Sequence, residues 1–101
     1  MKSFTAKDPR ESIIVSFDFT KLLSVNESIV SASTTSKPSV GTDPNSDNMI
    51  TGPTLATGAI CSQRIQGGVS GVTYVLSAIA NTSLNNVIVL SGQMLVVSGG
   101  A

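Results

Sequence analysis

The sequence predicts an all-β fold, a β-sandwich of antiparallel strands, on three observations. The β-branched residues Val and Ile number 11 and 8 against 7 Leu, and such side chains suit a pleated strand better than a helix. Short runs alternate apolar and polar residues, while no helix-period pattern lasts longer than a turn or two. Turn residues divide these runs into six or seven strands, the pattern of a sandwich, with a small barrel as the alternative. The 101 residues make one domain with one core. Phe4, Phe17, Phe19 and Tyr74 are the aromatic residues, so the core is mainly aliphatic. The 26 Ser and Thr suit the exposed face of a sheet.

Residues 1–11 read as an extended N-terminal arm and residues 12–101 as the sandwich. Within the arm, Pro9 fixes φ and biases Asp8 towards an extended conformation. Phe4 is the arm's one large apolar side chain. An arm this polar has little means of packing on its own domain, so it is expected to lie across a neighbouring subunit. There it would bury Phe4 and add a strand to an exposed edge.

Ser12–Phe19 is the first full strand, with Ile13, Val15, Phe17 and Phe19 on one face and Ile14 as the apolar exception on the other. Thr20–Asn26 forms a helical turn or tight corner around Leu22, Leu23 and Val25. Asp18 reads either as a solvated strand residue or as the cap of that turn. Ser28–Thr35 follows, the Ser, Thr and Ala of its outer half suiting an edge or a thin core. Pro38, Gly41, Pro44, Gly52, Pro53 and Gly58 make residues 37–58 irregular. Short edge strands are expected there near Ser39–Val40 and Met49–Thr51.

Ala59–Gln66 is the next strand. Gly67-Gly68-Val69-Ser70-Gly71 then reads as a hairpin loop whose glycines supply φ > 0. Val72–Asn81 is a central strand with Val72, Tyr74, Leu76, Ala78 and Ala80 on one face, which makes Tyr74 a packing residue and not a ligand platform. Thr82–Asn86 turns the chain. Val87–Ser91 and Gln93–Val97 finish it, with Gly92 expected to mark a bulge or kink.

The residue inventory argues against chemistry. Without histidine there is no Ser-His-Asp or Cys-His constellation. Cys61 is alone in a strand and reads as a small buried hydrophobe. Asp43 and Asp47 resemble part of a calcium loop that lacks its remaining oxygen ligands and closing Glu. The glycine run precedes a strand where a phosphate loop needs a helix. The expectation is no catalytic residue, no metal and no cofactor. Six basic and six acidic residues, spread along the chain, leave no basic stripe for nucleic acid. No apolar run approaches the length that spans a bilayer, and no signal-peptide pattern opens the chain. A chain made in the cytoplasm, working through other proteins, is the reading.

Several landmarks together carry a resemblance. Lys7-Asp8-Pro9 with Glu11 precede the first strand, which Phe17-Asp18-Phe19 closes. Asn26-Glu27-Ser28-Ile29 follow a leucine turn. Then come Gly67-Gly68-Val69-Ser70-Gly71-Val72-Thr73-Tyr74, Thr82-Ser83 and a last strand ending Leu95-Val96-Val97. Their order and spacing resemble small tailed-bacteriophage virion proteins of the fiber–tail adaptor or head–tail accessory type. Asn85-Asn86 departs from the glycine turn common at that place. The resemblance implies an immunoglobulin-like sandwich, made in the host cytoplasm and located in the virion as several copies in a symmetric assembly. It implies partners among tail, neck or fiber proteins, with a capsid decoration protein or a receptor- or glycan-binding adhesion module as alternatives. The interface residues expected are Phe4, Lys7, Asp8, Pro9, Asp43, Pro44 and Asn45. Asp18, Gly67, Gly68, Gly71 and Tyr74 are expected to be structural.

Overall fold

The computed structural model describes residues 2–100, Lys2 by its backbone alone. Met1 of the expected arm and Ala101 of the expected sandwich lie outside the described residues. The strands are β1 (Lys2–Ser3), β2 (Ser12–Asp18), β3 (Ile29–Val40), β4 (Ile50–Thr57), β5 (Ile60–Gln66), β6 (Thr73–Thr82) and β7 (Val87–Leu95). Single 3-10 turns occupy Thr20–Leu22 and Ser46–Met49. One sheet runs β1-β7-β6-β3 and the other β2-β5-β4. All pairings are antiparallel except the short parallel one of β1 with β7. Strands 2-5-4 opposite 3-6-7 match the B-E-D and C-F-G strands of the immunoglobulin sandwich. Two separate sheets replace the alternative of a barrel.

The alternation in the sequence sets which face is buried. Val15 and Phe17 of β2, Cys61 and Ile65 of β5, and Tyr74, Leu76, Ala78 and Ala80 of β6 all point inward. Each large apolar side chain buried this way contributes about 1.5–3 kcal/mol. Ile14 stays on the outer face, 58% exposed. Burial also pushes the Cys61 thiol up in pKa, which keeps it protonated in the core.

Four expectations need correction. The first concerns β3, which continues through Pro38 to Val40 instead of stopping near Thr35. It pairs only with β6, so it is an edge strand, where a residue lacking N–H is tolerated. The second is that β4 passes through Gly52-Pro53 as a longer strand. Its register against β5 shifts between Thr51 and Leu55, forming a bulge. Gln63 supports this bulge from inside: its Nε2 donates to the Thr51 and Gly52 carbonyls at 2.9 and 3.2 Å. Its Oε1 accepts from Thr54 Oγ1 at 2.5 Å.

The third is that Gly92 neither bulges nor kinks, since β7 keeps continuous register with β6 on both sides of it. The glycine instead makes room for a ring, because a Cβ there would stand 2.4 Å from Phe4 Cε2. The fourth is the arm, which finds backbone and ring partners on its own sandwich. Phe4 N–H donates to the Gln93 carbonyl (2.8 Å), Lys7 N–H to Leu95 (3.0 Å) and Val97 N–H to Lys7 (2.8 Å). The Phe4 ring meets Phe17 edge-on, centroids 5.5 Å apart at 82°. The arm therefore packs on its own sandwich. Gly92 gives Phe4 a seat, and β7 gives the arm's backbone its partners.

Candidate protein-interface surfaces

Segments from four parts of the chain meet at the end of the sandwich where β2 and β6 begin. Gly67, Gly68 and Gly71 all have positive φ, at 69°, 96° and 91°. Gly68 is fixed twice over, since a Cβ there would also lie 2.9 Å from Val96 Cγ2. The turn they make presents the Gly67 carbonyl to the buried Lys7 ammonium, which donates to it at 2.6 Å and to the Asp8 carbonyl at 2.9 Å. Two carbonyl dipoles thus replace water around a charge that is rarely buried without partners. Burial pushes the Lys7 pKa down, while Glu11 and Asp8 pull it back up.

Asp8 ties the arm to the C-terminal segment. Its Oδ1 accepts from Arg10 N–H (2.7 Å) and Arg10 Nε (3.0 Å). Its Oδ2 accepts from Arg10 Nη2 (3.0 Å) and Gly99 N–H (2.8 Å). The Arg10 side chain first, then the Arg10 and Gly99 amides, hold the carboxyl far below the usual carboxylate range.

On the other side of the glycine turn, Tyr74 OH accepts from Val69 N–H at 2.8 Å and donates to Asp43 Oδ2 at 2.7 Å. A tyrosine near the start of this strand, bonded to backbone a few residues upstream, is the tyrosine corner of immunoglobulin-like sandwiches. Burial and the bond to Asp43 push the phenol up to about 12. Asp43 Oδ1 accepts from Asn45 N–H at 2.9 Å, leaving Pro44 and Asn45 exposed at the turn.

A second set of contacts organises the opposite end. Asp18 Oδ1 accepts from Thr20 N–H at 2.9 Å and from Thr20 Oγ1 at 2.5 Å, closing the turn that leads into Thr20–Leu22. Glu27 joins two loops: its Oε1 accepts from Ser24 N–H at 2.9 Å, its Oε2 from Thr82 Oγ1 at 2.5 Å and Asn86 Nδ2 at 2.9 Å. The Ser24 amide, then Thr82 and Asn86, lower its pKa. Asn85 takes φ 63° in the β6–β7 turn, so asparagine supplies there the left-handed residue that a glycine would.

A family model described as podophage GP4 fiber-tail adaptor protein gp77 matches residues 7–94. The chain belongs to that family. No curated protein and no solved structure matches it. For a fiber-tail adaptor family member, a component of a phage virion, the relevant chemistry is contact with other proteins. The match runs from the buried Lys7 to Met94, taking in β2 to β6 and nearly all of β7.

Lys7, Asp8, Asp43, Gly67, Gly68, Gly71 and Tyr74, scattered in sequence, thus converge on one end of this adaptor-family chain. Pro9, Pro44 and Asn45 stand at its periphery. Phe4 is elsewhere, beside Phe17, and Asp18 is at the far end. Sequence reasoning gave no role to Gln63, Glu27 or Arg64. The signal for Gln63 was its place between Cys61 and Ile65 on the inward phase of β5. Glu27 carried a weaker one, an acid just before a strand in a chain with few acids. Arg64 lies on the outer phase of β5, opposite Ile14 of β2 and Thr51 of β4.

Proposed function

We propose that this chain is the structural adaptor that joins fibers to the tail of a podophage particle, working by protein–protein contact and not by catalysis. The family match across both sheets carries this reading. A rigid, internally bonded sandwich suits the task, because an adaptor transmits position and force between partners without needing a moving part. The exposed Pro44–Asn45 turn and the half-buried Pro9, together with the ends of the arm-side network, are surfaces for tail or fiber subunits. The network beneath them fixes their geometry before any partner arrives, which lowers the ordering cost of association. The chain is made in the host cytoplasm and enters the virion in several copies around a symmetric tail.

Phage carrying a nonsense codon early in this reading frame tests the proposal. Particles from a non-suppressing host are expected to have filled heads and tails but no fibers, and to regain fibers when the protein is supplied in trans. Particles that keep their full set of fibers would refute the role.

A further inference from the structure

The outer face of the β2-β5-β4 sheet holds an open cleft of about 300 Å³, walled by Ile14, Pro53 and Leu55 and flanked by Arg64. Ile14 and Leu55 are 58% and 62% exposed. The β4 bulge at Gly52-Pro53 raises one wall, and Gln63 holds that bulge in place from beneath. Arg64 is exposed and forms no ion pair among the described residues. Its Nη1 donates only to Ser12, at 3.2 Å to Oγ and 3.5 Å to the carbonyl.

The balance of charge inside the chain sharpens this. Asp8, Glu11, Asp18, Glu27 and Asp43 all accept hydrogen bonds from their own chain. The chain is formally neutral, yet its carboxylates are largely committed internally while Arg64 has no carboxylate beside it.

We propose that this cleft binds an extended segment of another virion protein, with an acidic side chain against Arg64 and an apolar side chain between Ile14 and Leu55. The inference rests on the adaptor reading and names the chemistry of one partner. Arg64 and Ser62 are two residues apart on β5, opposite Thr51 and Leu55 respectively. Because Ile14 lies opposite Arg64 and Leu55 opposite Ser62, the two apolar walls are staggered along the sheet by about 6.6 Å, the spacing of side chains at i and i+2 on an extended chain. A second copy of this chain fits poorly. Among the described residues, the one side-chain carboxylate outside the hydrogen bonds above, Asp47, lies on the Ser46–Met49 3-10 turn and not on an extended segment. Arginine suits the task because its planar fork takes a carboxylate through two parallel bonds.

The test uses whole virions assembled with Leu55→p-benzoylphenylalanine, irradiated and mapped to residue level. The expected cross-link falls on an extended segment of a different virion protein, with Asp or Glu within two residues of the linked site. Its yield should drop about tenfold or more in Arg64→Gln, the loss of the charge-assisted pairing with the carboxylate, and recover partly in Arg64→Lys. Four outcomes overturn the inference: cross-links to another copy of this chain, to a segment without an acid, no cross-link, or a yield indifferent to Arg64→Gln. Absence of the protein from the virion overturns the adaptor reading and this inference with it. Presence of the protein with a silent cleft overturns this inference alone.

Discussion

Removing one oxygen atom from Tyr74 tests whether the glycine turn and the Asp43 turn are held as a unit. Tyr74 is fully buried, and its hydroxyl both accepts from Val69 N–H and donates to Asp43 Oδ2. Tyr74→Phe keeps the ring and its packing but takes from Asp43 Oδ2 and from the Val69 N–H the partner that each has in the hydroxyl. A hydrogen bond to a charged group is worth about 1.5–3 kcal/mol and a neutral one about 0.5–1.5 kcal/mol. The expected loss is therefore about 2–4 kcal/mol. In a domain of this size, that lowers Tm by roughly 10–20 °C. Urea unfolding and calorimetry of the full chain would measure it. Combining Tyr74→Phe with Asp43→Asn should give less than the sum of the two single losses, because both variants remove the same bond. A loss under about 0.5 kcal/mol, or strict additivity, would show that water replaces these contacts and that the corner is not a clamp.

Other outcomes follow from the same geometry. Gly92→Ala should cost about 1–3 kcal/mol by overpacking against Phe4, and little in a Phe4→Ala background; an equal cost in both would place the strain elsewhere. Asp8 has a depressed pKa, so its stabilisation is complete above about pH 4 and lost as pH falls. Acid unfolding monitored from pH 5 to pH 2 should accordingly be less steep in Asp8→Asn than in the parent. Tyr74 has a raised pKa, so its contribution is complete below pH 10 and disappears as pH rises towards 12. Tyr74→Phe should flatten that alkaline limb, and an unchanged limb would count against the burial of the phenol. Glu27→Gln should speed amide exchange at Ser24 and Asn86 while leaving β6 protected, and uniform exchange would mean the two loops are not joined through Glu27.

The strands that alternate cleanly, Ser12–Phe19 and Val72–Asn81, were legible because a period of two assigns each side chain a face. The glycine turn was legible because three glycines in five residues have few other uses. Pro38 and Gly52-Pro53 misled, because proline stops a central strand but not an edge strand, and edge position is set by topology. The arm misled for a related reason. Its polarity concealed that Lys7 buries its aliphatic stem with two carbonyls at the tip. The socket for Phe4 is the missing side chain of Gly92, nearly ninety residues away. Residues expected at an interface converged on one end for internal reasons: Lys7, Asp8 and Asp43 mostly bond to their own chain. The Arg64 cleft was invisible in the sequence because it needs the β4 bulge and the β5 register together.

A three-dimensional map of the intact particle tests the central claim most directly. The account predicts density for this two-sheet sandwich at the junction between tail and fibers, in several copies related by the tail's symmetry. Each copy should touch both a tail subunit and a fiber subunit. Density for the chain confined to the outer surface of the capsid, touching neither tail nor fiber, would contradict the adaptor assignment.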